Sequence, residues 1–193
     1  MLFNSEKFLN SPVMSLQTGS ELARTSKAII DPRDLTIVAY ELEGRMLDRS
    51  PSLLMIRDIR EIGPLGMIID STDELVAPGD VINLKKVYEY QFKLLDKPVI
   101  DEDKRKVGKV IGYTLESSSF VIQQLQIKRP LLKSFGDTEL LVHRSQIVKI
   151  TDEEIIIKSA SVHHKVEQTE PKPIASYDNP FRKQPQPESA DRS

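Results

Sequence analysis

Three blocks of this sequence occur twice, in the same order. "FLNSPV" (Phe8 to Val13) matches "LLDKPV" (Leu94 to Val99), and "ELARTSKAIID" (Glu21 to Asp31) matches "KVGKVIGYTLE" (Lys106 to Glu116). "SLLMIRDIREIGPLGMIID" (Ser52 to Asp70) matches "ELLVHRSQIVKITDEEIIIK" (Glu139 to Lys158). In that last pair Ile59 and Ile62 fall on Ile147 and Ile150, and Met67, Ile68 and Ile69 fall on Ile155, Ile156 and Ile157. The offset changes by only one to three residues between blocks. Changes of that size fit in turns, where insertions cost little. One match is within reach of chance, but three in order mark a unit written twice.

The unit is built of strands. "TIVAYELEG" sets Val38, Tyr40 and Leu42 against Glu41 and Glu43, and "FVIQQLQIK" sets Val121, Leu125 and Ile127 against Gln124, Gln126 and Lys128. Such period-two alternation marks half-buried strands with one face in water. Turn-rich stretches separate them: "DPRD" (Asp31 to Asp34), "ESSS" (Glu116 to Ser119) and "GPLG" (Gly63 to Gly66). Short strands divided by such turns predict a small barrel of about five or six strands per copy, which would leave no open edge.

Between the copies, "PGDVINLKKVYEYQFKLLDKPV" predicts a helix from about Val81 to Lys93, with Asp80 as its N-cap. Leu84, Val87, Tyr88, Gln91 and Leu95 form its inward stripe, so its aromatics belong to packing. After about Ser161 the chain turns to Pro, Gln, Ser and Glu without periodicity, too little apolar surface to offset ordering entropy. The expected organisation is a first domain over 6–77, a connecting helix over 78–93, a second domain over 94–160 and a disordered tail over 161–193.

With no Cys, disulfides, thiolate metal sites and cysteine nucleophiles are excluded, which suits a reducing compartment. The N-terminal stretch lacks the basic start and apolar run of a signal peptide, and nothing approaches the ~20 apolar residues that span a bilayer. A cytoplasmic protein without membrane insertion is expected. The formal charge of -2 lacks the basic excess of tight nucleic-acid binders.

The stretches "SPVMSLQTGSELARTSKAIIDPRDLTIVAYELEG" and "KPVIDEDKRKVGKVIGYTLE" resemble the PRC-barrel family. Each has an apolar Pro-Val start, a polar turn, a small residue (Ala23 or Gly108) and a strand ending in Asp31 or Glu116, with a later "I..I....III" pair closing the unit. The family includes the reaction-centre H subunit, the C-terminal half of the ribosome maturation factor RimM and archaeal cell-division adaptors. The resemblance implies an all-β fold of two tandem PRC-type barrels joined by a helix, docking on another macromolecule without a shared active site. It therefore implies a non-catalytic adaptor or scaffold that docks on a protein partner through barrel surfaces. A ribosome- or RNA-associated role like that of RimM is the alternative, and a small-molecule barrel ranks last because so few strands leave no cavity.

No residue is singled out for catalysis, metal or cofactor. His143 lies in an apolar strand and reads as a satisfied or edge-exposed strand residue, not a general base. His163 and His164, with Glu167, offer too few ligands for a metal. The carboxylates of "DEDKRK" and "TDEEI" read as solvated turns, and no phosphate-binding or hydrolase motif occurs. The docking residues expected are Lys128, Arg129, Leu131, Leu132, Lys133 and Phe135, on a long loop, with Tyr177 and Phe181 in the tail island "YDNPFRK". The same loop cations, with Lys104, Arg105, Lys106 and Lys109, would serve a nucleic acid, but without interleaved aromatics.

Overall fold

The computed structural model describes residues 1–130 and 139–159. They belong to a unit over Met1–Ala160; a second unit is Ser161–Ser193, so the expected tail lies outside the described residues. Ahead of the first copy lies β1 (Leu2–Asn4), and that copy contributes β2 (Pro12–Ser15), β3 (Glu21–Asp31), β4 (Thr36–Glu43), β5 (Ser52–Met55), β6 (Glu61–Gly63), β7 (Gly66–Ile69) and β8 (Leu75–Val76). Helix α1 (Ile82–Tyr90) leads to β9 (Pro98–Asp101), β10 (Lys106–Glu116), β11 (Ile122–Lys128), β12 (Glu139–His143), β13 (Ile147–Ile150) and β14 (Ile155–Ile157).

Both sheets are mixed, and they share one strand order. The first runs β6-β7-β2-β3-β4-β5-β8 and the second β13-β14-β9-β10-β11-β12, with β1 added beside β10. The parallel pairs agree as well: Val13 faces Met67 in the first copy and Val99 faces Ile155 in the second. Backbone strain repeats with them. Asn10 and Asp96 stand at φ 55° and 63°, Leu35 and Phe120 at φ 55° and 54°. These are left-handed conformations, tolerated best by Asn and Asp and costlier for Leu and Phe, that the surrounding structure holds in place. At the first pair the constraint is a matched hydrogen bond: Asn10 N–H donates to the Thr25 carbonyl and Asp96 N–H to the Val110 carbonyl, both at 2.8 Å.

Neither sheet closes into a barrel. The first ends at β6 and β8 and the second at β12 and β13, and no ladder joins those ends among the described residues. This corrects the all-β reading of two PRC-type barrels and the PRC-barrel resemblance that produced it: the protein is mostly β with one helix, and its sheets stay open. The adaptor that docks through barrel surfaces, and the RimM-like ribosome role, lose their structural basis with it. Closure needs terminal strands long enough to tilt together and exchange a staggered ladder. Here β6 has three residues and β8 only two.

The two copies cover one another's open faces instead. β1 precedes the first copy in sequence but pairs with β10 of the second, Leu2 opposite Glu116 and Asn4 opposite Thr114. Conversely, α1 precedes the second copy and packs Leu84, Val87 and Tyr88 over Ile29, Ala39 and Leu53 of the first. At the centre the β3–β4 and β10–β11 turns exchange bonds. Ile37 N–H donates to the Phe120 carbonyl (3.1 Å) and Ile122 N–H to the Leu35 carbonyl (2.8 Å). Phe8 lies there, with ring centroids 5.4 Å from Phe120 and 6.4 Å from Tyr40. One continuous apolar cluster, from Val13 and Met67 to Leu125 and Ile155, results.

Helix α1 is shorter than expected and capped differently. Val81 is its N-cap, without a side-chain bond, and Gln91 ends it at φ 50°. The Asp80 carboxylate accepts from Ala77 N–H (2.8 Å) and Arg49 (3.0 Å), so it braces the turn ahead of the helix. No helix among the described residues is long and apolar enough to cross a membrane.

Candidate functional site

Because the copies interlock, each leading segment forms a wall against the other copy's central turn, and a groove opens at each place. The first groove holds about 950 Å³. Its walls are the leading segment (Met1, Phe3, Lys7 and Leu9), the stretch from Ile56 to Pro64, and the β10–β11 turn at Ser117, Ser118 and Phe120. Its floor is apolar, since Ile56, Ile59 and Ile62 are half-buried and Phe120 is buried. The Lys7 ammonium sits over the Phe3 ring, 3.7 Å from its centroid, a cation–π contact on this wall.

β6 runs along this groove as an edge strand. It pairs with β7 through Glu61–Ile68, Ile62–Met67 and Gly63–Gly66. The two-residue turn at Pro64 and Leu65 makes Gly63–Gly66 the hydrogen-bonded pair that closes the hairpin. Pairs alternate along an antiparallel ladder, so the N–H and C=O of Ile62 point away from β7.

The second groove is the counterpart of the first. It consists of contiguous depressions of about 470 and 320 Å³ that share Pro32, Arg33 and Ile150. Its walls are α1, through Asn83, Lys86, Val87 and Tyr90, the β13 region from Ile147 to Ile150, and the β3–β4 turn. Here the lining is charged. Arg33 donates from Nε (2.9 Å) and Nη2 (2.5 Å) to the Asp31 carboxylate, and this bonding holds the Asp31 carboxyl below its ordinary pKa despite burial. Arg144 reaches the same turn, Nη2 donating to the Asp34 carbonyl at 3.1 Å. Lys86 and Lys149 add two further cations.

Lys97 stiffens this second groove from behind. Buried, it donates to the Thr151 (3.2 Å) and Asp152 (2.6 Å) carbonyls and lies 4.8 Å from the Phe92 ring centroid. Burial lowers its pKa. The Tyr90 hydroxyl donates to Asp152 in the same β13–β14 turn. Lys97 therefore ties the β13–β14 turn to the segment that leads into β9.

Of the docking residues expected from sequence, only Lys128 and Arg129 fall among the described ones. Lys128 is exposed at the end of β11 opposite Lys109 and Glu139, Arg129 follows half-buried, and neither lines a groove. Leu131, Leu132, Lys133, Phe135, Tyr177 and Phe181 lie outside the described residues, as do His163 and His164. His143 caps a short 3-10 turn: its Nδ1 accepts from Ser145 N–H (3.2 Å) while its own N–H donates to the Gln146 side chain (2.9 Å). The "DEDKRK" turn is not fully solvated, because Asp101 is buried and accepts from Arg105 N–H (2.9 Å) and Nε (2.8 Å).

The groove cations escaped the sequence reading because Arg33, Lys86 and Arg144 come from distant segments that only the fold assembles. The Ile-x-x-Ile pairs were visible as part of the repeat, but not as lining. Among the described residues no group of His, Asp and Glu side chains is placed to hold a metal ion. No protein-family model matches the chain, and no curated protein matches it.

Proposed function

We propose that this chain is a non-catalytic protein-binding module whose first groove takes an extended polypeptide segment alongside β6. The observation that carries this reading is an edge strand with outward-facing backbone groups beside a groove of about 950 Å³ whose floor carries Ile56, Ile59 and Ile62. An added strand satisfies such groups through main-chain bonds, and pockets beside it select alternate side chains. Ile62 offers one outward N–H and C=O pair, which sets register. Affinity then comes from apolar side chains buried on Ile56, Ile59 and Phe120. Arg60, Glu61 and Lys7 stand at the rim, where charges steer association more than they add affinity.

The test is selection of random displayed peptides on the full chain, with Ile62→Asp as the counter-target and circular dichroism to establish that the variant folds. The enriched peptides should alternate apolar and polar residues and bind the variant at least about ten-fold more weakly, as a central interface residue does. Methylating the backbone nitrogen that pairs with Ile62 should weaken them similarly. Peptides that bind the variant equally well, or tolerate that methylation, sink the reading.

A further inference from the structure

The second groove repeats the walls of the first but carries a different chemistry. We infer that it binds a short acidic segment of a protein partner, with carboxylates set against Arg33, Arg144, Lys86 and Lys149 and apolar side chains against Val87 and Ile150. This goes beyond the apolar groove and does not depend on it.

Two of the four cations are held in place before any ligand arrives. Arg33 spends Nε and Nη2 on Asp31, which aims the rest of its guanidinium outward; its side chain is 79% exposed. Arg144 spends Nη2 on the Asp34 carbonyl. Both anchors lie in one turn, so the two guanidinium groups are ordered together across the shared floor of Pro32 and Ile150. Ordering them in advance lowers the entropy cost of binding, and a guanidinium fork matches a carboxylate bidentately. Lys86 on α1 and Lys149 on β13 supply mobile charge from the other two walls.

The carboxylates that face this cluster are few and engaged. Asp31 is bound by Arg33, and Asp152, beyond Ile150, accepts the Tyr90 hydroxyl. Asp34 lies at the rim of the turn. The groove is thus positive on a chain whose formal charge is -2.

Three features favour an acidic peptide over a nucleic acid. The groove gathers four cations, so a long backbone would soon run beyond them. The groove's aromatic residue, Tyr90, already stacks on Phe92 with ring centroids 6.3 Å apart and 15° between planes, which occupies one of its faces. Pro32, Val87 and Ile150 also give apolar contact between the charges, which suits acidic residues interspersed with aliphatic ones and not a phosphodiester chain.

The experiment is fluorescence anisotropy on the full chain with a labelled heptapeptide Glu-Leu-Glu-Glu-Leu-Glu-Asp, in parallel with the same peptide carrying Gln and Asn for its acids, and with single-stranded oligothymidine. The acidic peptide should bind, weakening steeply as salt rises, and the neutral peptide should bind at least about ten-fold more weakly. The double variant Lys86→Glu/Lys149→Glu, which reverses two exposed charges and leaves both arginine anchors intact, should lower affinity by about ten-fold or more. Arg144→Gln should lower it less. Equal binding of the neutral peptide, no response to the charge-reversed variant, no binding at low salt, or displacement of the peptide by oligothymidine would each overturn the proposal.

Discussion

The same three kinds of segment wall both grooves, yet one groove is broad, with an isoleucine-rich floor under a mixed polar rim, while the other gathers four cations and is divided. Each has a leading segment on one side, an Ile-x-x-Ile stretch on another and the opposite copy's central turn at the end. The leading segment makes the difference. Before the first copy it is β1 and a 3-10 turn, whose Phe8 enters the shared core; before the second it is α1, whose polar face brings Asn83 and Lys86 to the groove. Positions that must satisfy backbone geometry stayed alike, as the paired left-handed residues Leu35 and Phe120 show. Positions that only face solvent diverged in charge, because an exposed side chain is constrained little by the fold.

The largest test of the interlock is Phe8→Ala. Phe8 is 1% exposed and touches rings from both copies, so its loss should cost about 3–5 kcal/mol. Urea denaturation should show both sheets melting in one transition; a second copy that stays folded would break the idea of a shared core. Leu84→Ala should follow, at about 2–4 kcal/mol, since Leu84 is 2% exposed under α1 against the first sheet. Hydrogen exchange should then rise in β4 and β5 before it rises in β10 and β11. The reverse order would mean that α1 serves its own copy.

A smaller effect separates the copies at one aligned position. Ala23 is buried in the first copy, whereas its counterpart is Gly108. A Cβ at Gly108 would stand 2.1 Å from the Lys128 carbonyl oxygen, which backbone alone must yield to relieve. Gly108→Ala should therefore lower stability by about 1–3 kcal/mol, read as a fall in Tm, although alanine suits the equivalent site. The smallest expected effect concerns pH. Hydrogen bonding from Arg33 keeps the Asp31 pKa below the value it has unfolded. Its stabilising contribution is present above that unfolded value and is lost as pH falls through the depressed folded one. Asp31→Asn should thus flatten the acid limb of a plot of Tm against pH and leave the neutral region nearly level; an unchanged acid limb would show that the pair contributes nothing.

Much of each sheet was legible in the sequence. The blocks Glu21 to Asp31 and Lys106 to Glu116 are the long strands β3 and β10 residue for residue. The alternation in β4 misled in one respect: it promised a face in water, but Ala39 is fully buried because α1 covers that side. Asp80 misled in another, since an acid before a helix reads as a cap whether its carboxylate turns to the helix or to Arg49. Neither groove was legible, because Phe3, Ile62 and Ser118 lie far apart in the chain and meet only through the exchange of leading segments.

The sequence by itself determined that a strand-rich unit occurs twice and where its longest strands run. Those properties follow from local periodicity and turn chemistry, which a short stretch carries alone. Tertiary structure decided that the sheets remain open, that each copy's leading segment covers the other copy and that Arg33, Lys86, Arg144 and Lys149 share one groove. A half-buried strand has the same pattern whether its apolar face closes a barrel or meets a second sheet. Only the packing of distant surfaces, with the short edges β6 and β8 unable to join, separates those outcomes.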